Sequence, residues 1–312
     1  GVSGGHDVNG DGYADILVGN PTLEQGVIYI YEGSEDGLDA GSEVRLLEGY
    51  QTNSGLGASL SGPGDINGDG LSDLLVGSPG LDNGVSGEGA AFIMFGAAPD
   101  SLPNRNRNSA SYHIRSFTES AQLGSSVSGA GDVNGDGYRD IIAISAGLAY
   151  VFHGDAAGMN HTSLATAAWV SDSLAVEKVR GAGDLNADGF ADILLKATGK
   201  AVVFQGSDSG ITGFGLDTAA WVSDVGNVVD IADVGDINGD GFSDIIIAAE
   251  SRALVFAGSS GGLSGTGLAH ADWVSDAFGV AAVAAAGDVN GDGFADIAMV
   301  AEGQGVVFAG SP

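Results

Sequence analysis

Short apolar runs alternate with turns rich in glycine and aspartate along the whole chain. The runs at residues 16–18, 74–76 and 245–247 are β-branched or leucine-rich and are bounded by Gly, Ser or Ala. Such runs predict strands. The run at residues 27–31 is apolar at every position, which predicts a strand buried on both faces, as between stacked layers of sheet.

The pattern predicts up to four strands in each stretch of about fifty residues. In the first stretch the predicted strands are 1–5, 16–18, 27–31 and 43–47. In the next two stretches the segments 56–60 and 123–127 stand first, followed by 74–76 and 91–95, and by 141–144 and 149–152. Val203-Phe204, Val255-Phe256 and Val307-Phe308 mark the third strands of the last three stretches.

One nine-residue motif, first seen at residues 7–15, occurs six times, and each copy leads into one of the predicted strands. Every copy has Asp at positions 1, 5 and 9, Asn at position 3 and Gly at position 6. Several oxygen ligands within a short loop suit Ca²⁺, to which the backbone carbonyl at position 7 commonly adds another. The glycine at position 6 permits the sharp turn that folds these oxygens inward.

Five residues of each motif are therefore predicted calcium ligands, and we number the motifs as loops 1 to 6. The residues are Asp7, Asn9, Asp11, Tyr13 and Asp15 in loop 1; Asp65, Asn67, Asp69, Leu71 and Asp73 in loop 2; Asp132, Asn134, Asp136, Tyr138 and Asp140 in loop 3; Asp184, Asn186, Asp188, Phe190 and Asp192 in loop 4; Asp236, Asn238, Asp240, Phe242 and Asp244 in loop 5; and Asp288, Asn290, Asp292, Phe294 and Asp296 in loop 6.

Two other interpretations of the motif are less consistent with the sequence. An EF-hand needs a bidentate Glu at position 12 and flanking helices, whereas position 12 is apolar in all six copies and each loop feeds a predicted strand. A metal-free Asx turn explains Asp, Asn and Gly in one copy. It does not explain three carboxylates in six copies, because their mutual repulsion would strain a loop that held no cation.

The spacing of the motifs predicts a repeat architecture. The last four copies start 52 residues apart, and Trp-Val-Ser-Asp recurs with the same period at Trp169, Trp221 and Trp273. A period near 50 with several short strands predicts a β-propeller. We expect one all-β domain over 1–312, with repeats at about 1–50, 51–118, 119–172, 173–224, 225–276 and 277–312. Six blades are favoured, and seven if the chain is a trimmed segment.

Charge and composition narrow the classes of partner. The formal net charge is −31 with 10 Lys and Arg, which argues against nucleic acid and anionic membranes as partners. Much of this acidity lies in the six loops. There is no Cys, so calcium rather than disulfides would stabilise the fold. The longest Ala/Val run, residues 280–286, is too short to span a bilayer, and Gly1 does not begin a signal peptide, which favours a mature or excised segment.

The repeat resembles the FG-GAP repeat of integrin α-subunit propellers and their bacterial relatives. Leu56-Gly57 and Phe278-Gly279 stand at the FG position, residues 62–73 match the calcium loop, and Gly19-Asn20-Pro21 and Gly77-Ser78-Pro79 stand at the GAP position. The resemblance implies four-stranded antiparallel blades with Ca²⁺ bound between the first two strands. Repeats 4 to 6 lack the GAP element, and repeat 4 has Leu174-Ala175 at FG and Ala187 at loop position 4.

Other candidate sites carry weaker signals. Residues 1–5 and 258–262 match G-x-S-x-G, but neither offers the strand-turn-helix context of a nucleophile elbow. The five His show no metal spacing, and His6 is expected to be a loop neighbour. The three Trp could stack on sugars, although packing of each blade's outer strand is the favoured interpretation. A basic cluster contains Arg105, Arg107 and Arg115. Asn160-His161-Thr162 matches the glycosylation sequon, which has meaning only if the protein is secreted by a eukaryotic host.

These observations favour a non-catalytic, calcium-stabilised extracellular or cell-surface module for protein binding or cell adhesion, with about six structural Ca²⁺ ions. The partner is expected on the blade-connecting loops of repeats 1 to 3, where residues 77–89 and 99–109 form long connections. A carbohydrate-binding lectin is the alternative, as is a non-catalytic propeller domain of a larger secreted enzyme or surface protein. An enzyme ranks last, because no convergent His, Lys and Tyr cluster is evident.

Overall fold

The computed structural model describes residues 1–23, 25–38, 44–49, 51–97, 105–106, 110–159, 161–276 and 278–311, without the side chains of 44–48 and 105–106. The chain is an all-β, six-bladed β-propeller with mostly four-stranded antiparallel blades, as the repeat spacing predicts. It divides into two compact units. Unit 1 contains Gly1–Gly129 and Asp136–Val170, and unit 2 contains Ala130–Gly135 and Ser171–Pro312. A single domain over 1–312 stays a prediction.

The first three blades contain thirteen of the described strands. Blade 1 consists of β1 (Val2–His6), β2 (Asp15–Asn20), β3 (Val27–Tyr31) and β4 (Val44–Glu48), with β8 (Arg105–Asn106) added in parallel to β4. Blade 2 consists of β5 (Leu60–Gly64), β6 (Asp73–Ser78), β7 (Ala90–Met94) and β9 (Tyr112–Arg115). Blade 3 consists of β10 (Val127–Gly131), β11 (Asp140–Ser145), β12 (Leu148–Phe152) and β13 (Trp169–Val170).

Blades 4 and 5 follow the same four-stranded plan within unit 2, and the described sheet of blade 6 has three strands. Blade 4 consists of β14 (Val176–Gly183), β15 (Asp192–Ala197), β16 (Lys200–Phe204) and β17 (Trp221–Val222). Blade 5 consists of β18 (Val228–Gly235), β19 (Asp244–Ala249), β20 (Arg252–Phe256) and β21 (Trp273–Val274). Blade 6 consists of β22 (Val280–Gly287), β23 (Asp296–Ala301) and β24 (Gln304–Phe308). The helices of the described ranges are two 3-10 turns, Leu164–Thr166 and Leu268–His270.

The predicted second and third strands are confirmed, but two first strands lie closer to their loops than the segments 56–60 and 123–127. They begin only at Leu60 and Val127, because the preceding segments turn. Gly57 and Gly124 have φ of 84° and 88°, a region that favours glycine and interrupts extended backbone. The expected fourth strand at residues 43–47 is observed as Val44–Glu48. The predicted connection at 99–109 lies mostly outside the described residues, as does Asn160 of the sequon.

The glycines of the FG and GAP elements allow neighbouring blades of unit 1 to approach closely. A Cβ built on Gly19 would overlap the carbonyl oxygen of Gly57 and lie 3.0 Å from its Cα, and one built on Gly77 would meet Gly124 in the same way. The FG turn of one blade thus packs directly on the GAP strand of the blade before it. Any side chain here would push the two sheets apart.

Third-strand aromatics and outer-strand tryptophans form the core between blades. Phe152, Phe204 and Phe256 are 0% exposed, and the Trp221 ring lies edge-on to Phe256 of the next blade at 5.0 Å between centroids. Trp169 and Trp221 are 4% and 5% exposed. The packing interpretation is therefore confirmed for Trp221, and the burial of Trp169 likewise leaves no platform for a sugar.

Candidate functional site

Loop 2 shows how the motif folds, beginning with the carboxylate at position 1. Asp65 Oδ1 accepts the backbone N–H groups of Gly68 (2.6 Å) and Asp69 (3.1 Å), and its Oδ2 accepts that of Gly70 (2.8 Å). These N–H groups converge because Gly68 and Gly70 have φ of 76° and 88°, which residues with a Cβ rarely adopt. The position-1 carboxylate therefore organises the turn.

Positions 3 and 5 of loop 2 are bonded to each other. Asn67 Oδ1 accepts the Asp69 N–H at 3.0 Å, and Asn67 Nδ2 donates to Asp69 Oδ2 at 2.9 Å. The other Asp69 oxygen accepts the N–H of Leu71 at 2.9 Å. The Asn amide thus lies against the Asp carboxylate at the solvent-exposed tip of the loop.

The carboxylate at position 9 is buried and ties the loop to the rest of its blade. Asp73 is 0% exposed. Its Oδ2 accepts the N–H of Ile66 at 2.7 Å, and its Oδ1 accepts the N–H of Gly96, beyond the end of β7, at 2.9 Å. Position 9 therefore fixes the start of the second strand relative to the end of the third.

The same contacts recur in the other loops. In loops 1, 4, 5 and 6 the position-3 amide donates to the position-5 carboxylate at 2.9 to 3.0 Å. In loop 3, Asp132 accepts the Gly135 N–H, Asp136 accepts the Tyr138 N–H and Asp140 accepts the Gly154 N–H. Position 9 is 0% exposed in all six loops: Asp15, Asp73, Asp140, Asp192, Asp244 and Asp296.

Successive loops are joined through their backbones. The position-8 N–H of one loop donates to the position-1 carbonyl of the loop before it, as Ser72 does to Asp7 in unit 1 (3.1 Å) and Ser243 does to Asp184 in unit 2 (3.1 Å). The side chain at position 7 also packs on position 4 of the preceding loop. A Cβ built on Gly10 would lie 2.6 Å from Leu71 Cδ2. Neighbouring loops are therefore in direct contact through both backbone and side chain.

Electrostatics make the buried carboxylates costly. Burial raises the pKa of Asp73 to about 7; the like charges of Asp69 and Asp65 add to the rise, against two backbone N–H bonds that lower it. The pKa of Asp192 is raised to about 7 and that of Asp244 to about 6, in each case by burial first and also by the two other carboxylates of the loop. Positions 1, 5 and 9 thus repel one another.

The donors fit the preferences of calcium, although the contacts show loops closed on themselves. Carboxylate, amide and backbone oxygens are its usual ligands. Each carboxylate oxygen has two lone pairs. Asp65 Oδ1 accepts two N–H bonds, whereas its Oδ2 accepts one and so keeps a lone pair for a cation. However, no group of three or more His, Asp or Glu in the described part of the chain is arranged to hold a metal ion. Cation binding would require the position-3 amide to turn away from position 5.

Comparison with known protein families identifies the repeat. The family model for FG-GAP-like repeats matches residues 7–76, 132–195 and 236–299, more than half of the chain. The chain belongs to the FG-GAP-like repeat family. Each matched span begins at position 1 of a loop and runs through the next loop into a second strand, so the FG-GAP repeat and the loops described above coincide.

Relatives of this FG-GAP chain include integrin α subunits. Integrin alpha-V of Gallus gallus is 27% identical over 209 residues, which is 62% of this chain and 19% of that protein. Integrin alpha-4 of Xenopus laevis is 31% identical over 166 residues, 51% of this chain and 15% of that protein. The chain thus spans a fifth or less of the length of these curated relatives. The homology to integrin α subunits is distant.

A solved structure supports the fold alone. The crystal structure of BBS1N in complex with ARL6DN, soaked with lead, superposes with a TM-score of 0.55 at 10% identity, covering 98% of this chain and 78% of that one. In the described part of the FG-GAP chain, no helix has the length and apolar character needed to cross a membrane.

The remaining sequence candidates do not assemble into a site. Both G-x-S-x-G matches lack a following helix: Ser3 lies in β1, and Ser260 lies in the turn after β20. His6 ends β1 beside loop 1, as expected, and its Nε2 lies 3.1 Å from Ser3 Oγ. Arg115 bonds Glu88 within blade 2, whereas Arg107 lies outside the described residues.

Two acidic residues with structural roles were missed by the sequence analysis. The pKa of Glu32 is raised by burial and by Asp15 and Asp11 of loop 1, so this side chain lies beside the loop. Its place directly before Gly33, whose N–H binds Asp15, could have indicated this. Glu88 is 0% exposed and receives Arg115 from β9. No sequence signal links these two residues.

Proposed function

We propose that the protein is a non-catalytic, calcium-stabilised extracellular or cell-surface recognition module of the integrin-α type, binding about one Ca²⁺ per loop. The observation that carries the proposal is the buried position-9 carboxylate. It recurs six times at 0% exposure, and where its pKa is raised to about 6 or 7 the position-1 and position-5 carboxylates contribute. A bound divalent cation would remove this repulsion.

In this proposal the chain's own residues supply the whole site. Positions 1, 3, 5 and 9 supply side-chain oxygens, and position 7 supplies its carbonyl. The bound ion supplies two positive charges and fixes the hairpin between the first two strands. At calcium about ten times the dissociation constant, each site would stabilise the fold by about 1.4 kcal/mol. Six sites would therefore decide whether the propeller remains folded, which is a structural rather than a catalytic role.

Thermal unfolding followed by circular dichroism tests the calcium proposal. We expect the melting temperature to rise steeply as Ca²⁺ replaces a chelator. Equal ionic strength of KCl should have little effect, because monovalent ions only screen the carboxylates. A melting temperature that is the same in Ca²⁺ and chelator would contradict the proposal and leave the loops as metal-free Asx turns.

The long connection between the second and third strands of blade 2 is the proposed partner surface. It lies within the blade, at the end opposite loop 2, rather than between two blades as expected from the sequence. In blade 2 this connection runs from Pro79 to Gly89, and in blade 3 it is the two-residue turn Ala146-Gly147. Long connections on a rigid scaffold are where binding residues usually lie. The distant integrin relationship favours a protein partner there.

An array carrying extracellular-matrix proteins and glycans would test the partner class. We expect calcium-dependent binding to protein spots, which is lost when residues 80–88 are replaced by Gly-Gly. Binding confined to glycan spots would favour the lectin alternative, which is weakened by the burial of Trp169 and Trp221. The calcium experiment does not depend on this outcome, so the two parts of the proposal can fail separately.

A further inference from the structure

All three lysines of the chain lie in blade 4, together with Arg180. Lys178 and Arg180 are two residues apart on β14, so their side chains share one face of the sheet. Lys196 of β15 is the direct cross-strand partner of Lys178 and lies on the same face. Like charges placed opposite each other destabilise a sheet. The cationic face formed by these three residues therefore requires negative charge nearby.

The cationic face is the one that meets blade 5. Arg180 pairs with Leu194, and Leu194 packs in an apolar cluster that contains Ile231 of blade 5. The places that correspond to Arg180 in blades 5 and 6 are taken by Ala232 and Ala284. The cations are therefore a property of blade 4 and not of the repeat.

Within the described ranges, two carboxylates form ion pairs with these cations. Asp230 of β18 pairs with Lys178 and also accepts two backbone N–H groups, at 2.9 and 3.1 Å. Glu177 accepts the Lys196 ammonium at 2.6 Å. Each carboxylate is thus already paired with a lysine.

The Arg180 guanidinium forms no ion pair within the part of the chain that the structure describes. Its hydrogen bond there runs from Nη1 to the carbonyl of Val179 at 2.8 Å, which uses one of five N–H donors. Burial lowers the pKa of Arg180, and nearby Asp230 only opposes this effect. Burial also lowers the pKa of Lys178, and the Arg180 charge lowers it further. Three cations and two carboxylates leave one positive charge without a counterion.

We propose that Arg180 and Lys178 bind a small oxyanion, of the carboxylate or phosphate type, between the first strands of blades 4 and 5. The planar guanidinium fork matches two oxygens of such an anion, and an ammonium beside it adds a second charge. Arg180 is partly exposed, so the anion reaches it from solvent. The anion supplies the partner that Asp230, which is paired with Lys178, does not supply.

Replacing chloride by acetate or sulfate at constant ionic strength tests the proposal on the full chain in saturating calcium. Sulfate represents the tetrahedral oxyanions, because phosphate would precipitate the calcium. We expect a saturable rise in melting temperature of about 2 °C when the anion reaches about ten times its dissociation constant. Arg180→Gln should abolish this rise. An equal rise in Arg180→Gln would overturn the proposal, since sulfate also stabilises proteins through its exclusion from their surface.

Lys200→Gln is the matched control, because it removes one positive charge from the same blade. The Lys200 ammonium donates to the carbonyl of Ser223 at 2.8 Å, and Arg252 makes the equivalent contact with Ser275 in blade 5. Lys200 therefore has a role in the repeat that involves no anion. We expect Lys200→Gln to retain the full rise, and its loss in this variant would mean that only the net charge of the blade matters.

Nuclear magnetic resonance of the unsubstituted chain provides a second measurement that does not require the variants to fold. The Nε–H signal of Arg180 should shift along the same saturation curve as the melting temperature. That of Arg252, whose guanidinium lies 4.4 Å from the centre of the Phe278 ring, should not move. Saturation by acetate alone identifies a carboxylate ligand, and saturation by sulfate alone identifies a tetrahedral oxyanion. The absence of a saturable shift at Arg180 with both anions overturns the proposal.

Discussion

Blade 2 and blade 5 have the same loop at one end and differ at the other. Gly68 donates to Asp65 at 2.6 Å and Gly239 donates to Asp236 at 2.6 Å. At the opposite end, blade 2 crosses from β6 to β7 through residues 79–89, whereas blade 5 turns through Glu250 and Ser251. The comparison indicates that the loop end is a repeated support, whereas the connection between the second and third strands differs between the two blades.

The long connection of blade 2 is held by a buried ion pair. Glu88 Oε1 accepts the Asn83 N–H at 3.0 Å and the Arg115 guanidinium at 2.8 Å, and Oε2 accepts the Phe117 N–H at 3.2 Å. The guanidinium also lies 4.2 Å from the centre of the Phe117 ring. These three contacts of Glu88 hold the connection of blade 2 in one conformation. The two-residue turn of blade 5 is too short to present a comparable surface.

The junctions between blades differ as well. Where blade 2 meets blade 3, Gly77 and Gly124 leave no room for a Cβ. In blade 5 the place of Gly77 is taken by Ala248, which is 0% exposed, and a Cβ on Gly279 of blade 6 would come no closer than 3.5 Å to another atom. Repeat 5 can therefore lose the GAP glycine, because the Ala248 side chain fills its place at the junction with blade 6.

Breaking the Glu88 ion pair should have the largest effect. Glu88→Ala leaves Arg115, whose side chain is 21% exposed, without its carboxylate and removes the acceptor of two backbone N–H groups. Removing one partner of a fully buried pair costs about 3–5 kcal/mol, which is the upper bound here. We expect a loss of up to that size in urea unfolding in calcium. The matched control is Glu177→Ala, which removes a 52% exposed partner of Lys196 and should cost less than about 1 kcal/mol. Equal losses would mean that the connection does not depend on the ion pair.

The next-largest expected change in the free energy of unfolding distinguishes the junction of blades 2 and 3 from the corresponding region of blade 5. Gly77→Ala places a Cβ within 2.9 Å of the carbonyl carbon of Gly124, and overpacking of this kind costs about 1–3 kcal/mol. Gly226→Ala, at the place in blade 5 that Phe278 takes in the FG pair of blade 6, meets no atom within 4 Å and should be neutral or slightly stabilising. Comparison of the two urea midpoints provides the measurement. A neutral Gly77→Ala would show that the junction can relax.

The sequence predicts what is repeated and misses what occurs once. Six copies of the loop and the 52-residue period define blades, strands and candidate ligands, because each copy confirms the others. The Glu88–Arg115 pair joins residues 27 apart in a single blade, so no period reveals it. The first strands of blades 2 and 3 were placed too early because Gly57 and Gly124 turn inside apolar segments that resemble strands by composition.

If loop 2 and loop 5 stabilise their blades equally, disabling either one should lower the free energy of unfolding by the same amount. Asp69→Ala and Asp240→Ala each remove the position-5 carboxylate. We expect each variant to bind about one Ca²⁺ fewer by isothermal titration and to lose about 1.4 kcal/mol at calcium ten times the dissociation constant. In chelator the losses should shrink, since each variant also relieves repulsion. Unequal losses in calcium would show that the identical hydrogen bonds conceal different metal sites.

The smallest expected change in stability concerns the first strand. Three residues before the loop, blade 5 has Asp233 and blade 2 has Gly62. Burial raises the pKa of Asp233 to about 6, although a bond from the Gly235 N–H opposes the shift. Because the folded pKa lies above the unfolded value of 3.8, the stability that the protonated form contributes is fully present below pH 3.8. It is lost as the pH rises through about 6.

Asp233→Asn should therefore stabilise the fold by about 1 kcal/mol at pH 7.5. This value is smaller than the free energy equivalent to the whole pKa shift, because the side chain is partly exposed. The gain should vanish near pH 4, where both side chains are neutral. Urea unfolding at the two pH values in saturating calcium measures the difference. Asp208→Asn, at an exposed turn, corrects for the loss of one negative charge. A gain that is the same at both pH values would mean that packing, rather than ionisation, distinguishes blade 5 from blade 2 at this position.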